Sequence, residues 1–312
     1  ARSVITGDPE LKIDELGVPI SVAKSIQIKE TVQPYNYKKM QLYFKNKTTN
    51  YPGCTYIIKA STGQSYKIDK IDPKYELTIG DQLNRDLITG DYIGYGRQPS
   101  LLYSSISTHR VVVLEHGYTL RMNPASCKLY NADFDGDCMV CVVPNNVQAI
   151  NEVRNLSPVK NWLVSLKSEK PSIGCFQDSL IGTSMFTKDG VMINRRNVKM
   201  LLSKVITSSL DIKLDKPMYG SREIISMLLP PINLVKDASI YVKDLSDLIK
   251  YNMEEIKVII KNGKHLKGIL DNSTIGETSE GGIFHIINNT YGPEKALEVI
   301  YNFQQLSTAF LS

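Results

Sequence analysis

The chain has 312 residues, 42% of them hydrophobic, with a net charge of +5 and a pI near 8.7. That length supports two or three domains with real cores, and no apolar run reaches the ~18 residues of a membrane helix. The mild basicity is compatible with nucleic acid without arguing for it, and an odd number of cysteines, five, speaks against a disulfide framework and suits a reducing, cytosol-like compartment. The chain opens at Ala1 with no signal-peptide pattern.

Residues 1–40 open with ARSVITGDPELKIDELGVPISVAKSI. Gly7-Asp8-Pro9 is a turn signal, and residues 10–29 lack a sustained helical stripe. Ser21 to Ile28 reads as a short helix entered after Pro19. Residues 41–120 are strand-like. Tyr56–Lys59, Ser65–Ile71, Tyr92–Gly94 and Arg110–Leu114 are short β-branched or aromatic runs parted by Gly- and Pro-containing turns. Several short strands leading to one loop fit a small closed barrel. His109, within the strand Ser107–Leu114, is read as structural.

Residues 131–137, NADFDGD, carry three carboxylates in five positions: Asp133, Asp135 and Asp137. Adjacent like charges repel, and one of them keeps its proton unless a cation sits among them. Mg²⁺ takes oxygen ligands at about 2.0–2.1 Å. In a plain strand, alternate residues lie about 6.8 Å apart, too far for all three to share an ion. The segment must curl, and Gly136 allows it. A calcium EF-hand loop counted from Asp133 would need Gly at its sixth place and Glu at its twelfth, where Cys138 and Pro144 stand. Cys138 and Cys141 form a lone CxxC without a second pair or nearby histidines, so a zinc site is not expected. Cys54, Cys127 and Cys175 stand apart. All five are read as ordinary thiols.

Beyond the loop, Asn145 or Asn146 is placed to cap a helix running to Leu156. In the stretch SEKPSIGCFQDSLIGTSMFTKDG, Gln177 and Asp178 open or lie within a helix, where capping and core hydrogen bonding are their expected work. Asn197 to Leu210 has an amphipathic pattern. A short helix starts at Ser221 and ends at Pro230-Pro231. Val258–Ile260, Asn262-Gly263 and His265–Leu270 read as a hairpin. Pro293 opens a closing helix with an apolar face of Leu297, Ile300, Phe303, Leu306 and Phe310.

These strings together resemble the largest, catalytic subunit of multisubunit DNA-dependent RNA polymerases. ARSVITGDP, GYGRQPSL at 94–101, the His109-Arg110 strand, NADFDGD and the Gln177-Asp178 segment each resemble a family motif, from Arg2 to about Leu311. The resemblance implies an α+β fold. A double-psi β-barrel (41–145) would carry the NADFDGD loop, after a dock-like segment (1–40). A mixed helical pore region with a β-hairpin (146–312) would run to the start of the funnel. It implies Asp133, Asp135 and Asp137 as catalytic metal ligands, Arg97, Gln98 and Asn131 as substrate contacts to the incoming nucleotide, and Arg2 as a contact to the nucleic-acid hybrid. An amide and a guanidinium both suit ribose hydroxyls.

Gly96 stands where the family has Asn, Leu102 where it has His, and Cys138-Met139-Val140 where it has Glu-Met-Asn. These departures, with the richness in Tyr, Ile, Asn and Lys, point to a large cytoplasmic DNA virus such as African swine fever virus. The clamp, bridge helix and trigger loop have no counterpart in these residues, so the chain is read as the catalytic middle of a longer subunit. The implied reaction is nucleotidyl transfer by a two-metal Mg²⁺ mechanism. The implied partners are the second-largest subunit and other polymerase subunits, a DNA template, the RNA product and nucleoside triphosphates, with no membrane. The expected location is the cytoplasm, in the viral factory and virion, or the nucleus for a cellular source. Two further readings stand beside this one: a non-catalytic scaffold that keeps the fold, and a glycosyltransferase with a DxD motif, which leaves ARSVITGDP and GRQPSL without explanation.

Overall fold

The computed structural model describes residues 1–72, 74–144, 146–205, 214–238 and 256–312. The chain divides into two compact units, 1–123 with 130–159, and 124–129 with 160–312.

Among the described residues the first unit contains ten strands: β1 (Arg2–Gly7), β2 (Glu15–Pro19), β3 (Gln27–Thr31), β4 (Cys54–Ile58), β5 (Ser65–Lys67), β6 (Gln82–Asp86), β7 (Tyr92–Gly96), β8 (Ile106–Leu114), β9 (Leu120–Met122) and β10 (Cys138–Val142). Six of them close a barrel in the order β1-β10-β7-β8-β2-β9. Two of its neighbour pairs, β1/β9 and β2/β8, are parallel, and the other four are antiparallel. This closed mixed barrel is the double-psi architecture. Closure removes the exposed sheet edges that invite aggregation.

The expected boundary at residue 40 is not a boundary of the fold, because β1 and β2 are barrel strands. Every residue of β2 is buried, so it shows no period-2 alternation by which a sequence reading would find it. The expected break at 145 also moves. The helix Val147–Leu156 belongs to the first unit. Its Val153 carbonyl accepts from Thr108 Oγ1 at 2.8 Å, and Arg154 lies 5.1 Å from the Tyr92 ring. Asn146 caps it, its side chain accepting from Ala149 N at 2.6 Å; Asn145 lies outside the described residues.

Two runs expected in the barrel belong elsewhere. β4 and β5 join β3 and β6 in a four-stranded sheet, order β3-β6-β4-β5. It has its own core of Val32, Met40, Tyr43, Cys54, Ile57 and Leu83. Met40 and Tyr43 come from a helix, Tyr37–Asn46, which buries one face by their i, i+3 spacing. The helix expected at Ser21–Ile28 stops at Ala23, because Gln27–Thr31 alternates and pairs with β6. Buried Arg85 ties this insert to β7, with Nη1 and Nη2 at 2.8 and 2.9 Å from the two oxygens of Asp91.

In the second unit the hairpin falls where expected. β11 (Met192–Asn194) pairs with β12 (Met218–Gly220), and β13 (Leu234–Asp237), β14 (Lys257–Lys261) and β15 (Lys264–Lys267) form a three-stranded sheet. Asn262 and Gly263 turn the β14–β15 hairpin with φ of 48° and 74°, the left-handed pair that a type I′ turn requires. Helix Asp178–Phe186 opens after Gln177, and helix Arg195–Ser203 covers the expected 197–210 stripe only as far as Ser203, leaving Lys204 and Val205 beyond its end. Residues 206–210 lie outside the described ones. The closing helix, Pro293–Leu311, has Pro293 in its first turn. Ile300, Phe303 and Leu306 are buried as expected, while Leu297 and Phe310 are half-buried. Gly182 of helix Asp178–Phe186 sets its approach: a Cβ there would lie 2.1 Å from Ser307 Oγ. Phe186 and Phe310 meet edge to face at 5.0 Å. Among the described residues no helix is long and apolar enough to cross a membrane.

Candidate active site

The NADFDGD loop sits between a short helix, Cys127–Tyr130, and β10. The helix ends because Asn131 turns left-handed, with φ of 49°, a conformation Asn tolerates better than most residues. Gly136 supplies the second bend with φ of 116°, as the curl requires. The loop is fastened at its end by Ile5 N, which donates to the Asp137 carbonyl at 3.0 Å. It is seated at its middle by Phe134, whose ring lies over Gly7. A Cβ at Gly7 would come within 2.9 Å of Phe134 Cε2. Gly7 thus serves close approach, beyond its part in the Gly-Asp-Pro turn. Nothing in the local sequence pairs positions 7 and 134.

β10 lies between β1 and β7, and its register sets what meets the loop. Val140 is opposite Gly96 on β7 and opposite Arg2 on β1. The chain leaving β7 therefore runs toward the start of β10. Arg97 meets Asp137 there, with Nε 2.7 Å from Oδ2 and Nη2 3.2 Å from Oδ1. The Asp133 amide donates to the same Oδ2 at 3.1 Å, and the Phe134 amide donates to Asp133 Oδ1 at 2.8 Å. The Arg97 guanidinium, then the Asp133 amide, hold the Asp137 carboxyl below the ordinary carboxylate range. Asp137, aided by the charge of Asp135, raises Arg97 in turn.

Arg97 holds Asp137 by both oxygens, and among the described residues no three His, Cys, Asp or Glu side chains are collected as a cation site. The donor chemistry nonetheless fits a hard divalent cation. The donors are all carboxylate oxygens, and Asp133 and Asp135 are exposed, with room for water or phosphate in the shell.

Asn131 and Gln98 are exposed beside this centre. Arg2 is exposed on β1, in register with Val140, and no bond joins it to the loop. Gly96 has a steric reason that sequence reading missed. A Cβ at this position would lie 2.6 Å from the Ser105 carbonyl oxygen and 3.0 Å from Ile106 Cγ1. The family's Asn does not fit this backbone. Gly96→Asn is expected to cost about 1–3 kcal/mol, as overpacking does, read as a drop in the melting temperature of the 312-residue chain.

Beneath the loop lies a buried polar cluster. His109 Nε2 is 2.5 Å from the Tyr130 hydroxyl, and His109 Nδ1 is 3.3 Å from the Glu15 carbonyl. A carbonyl only accepts, so Nδ1 carries the proton and Nε2 accepts from Tyr130. Tyr95 packs edge to face on both rings, at 5.2 and 5.6 Å. His109 is fully buried, which fits the structural role expected of it. The thiols are free, and burial pushes Cys141 up to about 12, so it is no nucleophile at neutral pH.

The first unit is thus a closed double-psi barrel that presents a three-carboxylate loop beside an arginine. The family model described as RNA polymerase Rpb1, domain 2, matches residues 1–159, and that for domain 3 matches residues 162–312. The chain belongs to the Rpb1 family, the largest subunits of DNA-directed RNA polymerases. It is 37% identical over its whole length to the DNA-directed RNA polymerase RPB1 homolog of African swine fever virus. It is 31% and 32% identical, over 99% of its length, to subunit RPC1 of RNA polymerase III from Saccharomyces cerevisiae and Debaryomyces hansenii. It spans 22% of the length of each of these relatives. The family models meet near residue 160, where the structural units also divide.

Proposed function

We propose that this chain supplies the catalytic loop of a DNA-directed RNA polymerase and supports template-directed nucleotidyl transfer within an assembled enzyme. The observation that carries the reading is the loop itself: three carboxylates seated on β1 and β10, with Arg97 delivered to them by β7. Asp133, Asp135 and Asp137 would hold Mg²⁺, which in a two-metal site activates the attacking hydroxyl and neutralises the leaving phosphates. The chain's own residues would do the positioning. Arg97 and Asn131 offer guanidinium and amide donors to ribose hydroxyls. Gln98, exposed next to Arg97, extends that donor row. Arg2 offers a fork to a backbone phosphate.

The partners we assign are the second-largest and other polymerase subunits, template DNA, RNA and nucleoside triphosphates. The compartment we assign is the cytoplasm of an infected cell, by analogy with the viral relatives. The test is RNA extension on a DNA template by polymerase assembled with this chain. Synthesis that survives complete chelation of divalent cations would overturn the reading. The 312 residues alone are expected to give no template-dependent product, because positioning and charge neutralisation at the triphosphate dominate phosphoryl transfer and this loop offers one arginine to that task.

The scaffold reading has one observation in its favour: Asp137 is engaged by Arg97. Mn²⁺ affinity separates the two, since a scaffold binds none productively.

A further inference from the structure

We propose that Arg97 is the displaceable counter-cation of Asp137, so that metal loading and release of Arg97 toward substrate are one exchange. The proposal rests on the reading of the loop as a divalent-cation site, and adds how that site is held before loading. Both Asp137 oxygens are committed. Oδ2 takes Arg97 Nε at 2.7 Å and the Asp133 amide at 3.1 Å, and Oδ1 takes Arg97 Nη2 at 3.2 Å. A forked guanidinium–carboxylate pair is among the stronger side-chain contacts. It is here only partly screened, with side-chain exposures of 26% and 21%. Asp135 adds its field to Arg97.

A hard cation with near-octahedral demands competes for the same oxygens. To take over the oxygens that now face Arg97 it must turn the fork away. With Nε and Nη2 committed to Asp137, only Nη1 and the second Nη2 hydrogen can face a ribose. Arg97 therefore neutralises the loop when no cation is bound, and can turn its whole fork to a nucleotide when one is. The backbone makes the exchange local. Arg97 follows the last residue of β7, and Asp137 precedes the first residue of β10. Turning the arginine disturbs no ladder bond.

The test measures Mn²⁺ binding by electron paramagnetic resonance in the assembled polymerase, without nucleotide, for wild type, Arg97→Gln and Arg97→Lys. Arg97→Gln is expected to tighten Mn²⁺ binding by about tenfold, the scale of one charge-assisted pair. Arg97→Lys should tighten it less, because lysine keeps the charge and loses the fork. In an Asp137→Asn background, Arg97→Gln should change the affinity by less than about twofold, because its effect is coupled through Asp137; an undiminished tenfold change there would show the two residues to be independent and overturn the proposal. If Arg97→Gln fails to assemble, Arg97→Lys carries the test, and unchanged affinity there overturns the proposal. Wild type that binds Mn²⁺, with Arg97→Gln unchanged or weaker, overturns this inference alone. Wild type that binds no Mn²⁺ overturns the functional reading beneath it as well.

Discussion

Replacing Asp135 with alanine is expected to abolish RNA synthesis by the assembled polymerase while leaving assembly and folding intact. Of the three loop carboxylates, Asp135 gives the cleanest substitution. It is exposed, it forms no ion pair among the described residues, and it precedes the flexible Gly136. Asp137 by contrast is tied to Arg97 and the Asp133 amide, so its removal would also disturb the loop. Surface changes of the Asp135 kind usually move stability by less than about 0.5 kcal/mol. Loss of a metal ligand removes charge stabilisation that phosphoryl transfer depends on, so activity should fall by at least about two orders of magnitude, or ~2.7 kcal/mol in the barrier. Extension assays on a DNA template, with subunit composition checked by size-exclusion chromatography, read both halves. Residual activity above about a tenth of wild type would count against the assignment.

The loop was legible because its chemistry is local. Three aspartates at alternate positions with a glycine between the last two call for a bend, and Gly136 supplies it with φ of 116°. Strands β7 and β8 were legible for a related reason, being short β-branched or aromatic runs with turns at both ends. β1 and β2 were not, since β2 is buried on both faces and Pro19 ends it. β4 and β5 were correctly seen as strands but placed in the wrong sheet. Alternation reports a half-buried surface and carries no address for it. The pairing of Arg97 with Asp137 was out of reach for another reason. The two residues are 40 positions apart, and only the register of β10 between β1 and β7 brings them together. Gly96 shows the same limit. Read only as a departure from the family's Asn, it turns out to be a steric necessity set by the Ser105 carbonyl.

That pair also carries the second large effect, which concerns stability. His109 lies fully inside the barrel, and burial pushes its pKa down to about 4 from 6.5. In the unfolded chain the imidazole titrates near 6.5. The native state therefore binds fewer protons than the unfolded state between those values. By linkage, stability is fully present above pH 6.5 and is lost as pH falls toward 4. For this buried group the loss is on the order of 3 kcal/mol. Protonation would also give Nε2 a hydrogen facing the Tyr130 hydroxyl, which now donates to it. His265 has the same depressed value, about 4, but belongs to the second unit, so the variant must isolate His109. Replacing His109 and Tyr130 together with phenylalanine keeps ring volume and removes both ends of their shared bond, whereas His109→Phe alone takes that partner from the Tyr130 hydroxyl and leaves it Ser107. Denaturant melts of the 312-residue chain between pH 7 and pH 4 should show a steeper decline in wild type than in the double variant, with His265 and the shifted carboxylates, Glu277 among them, setting the slope common to both. Equal slopes would mean that His109 titrates normally in the native barrel, and that the cluster beneath the loop is more hydrated than its burial implies.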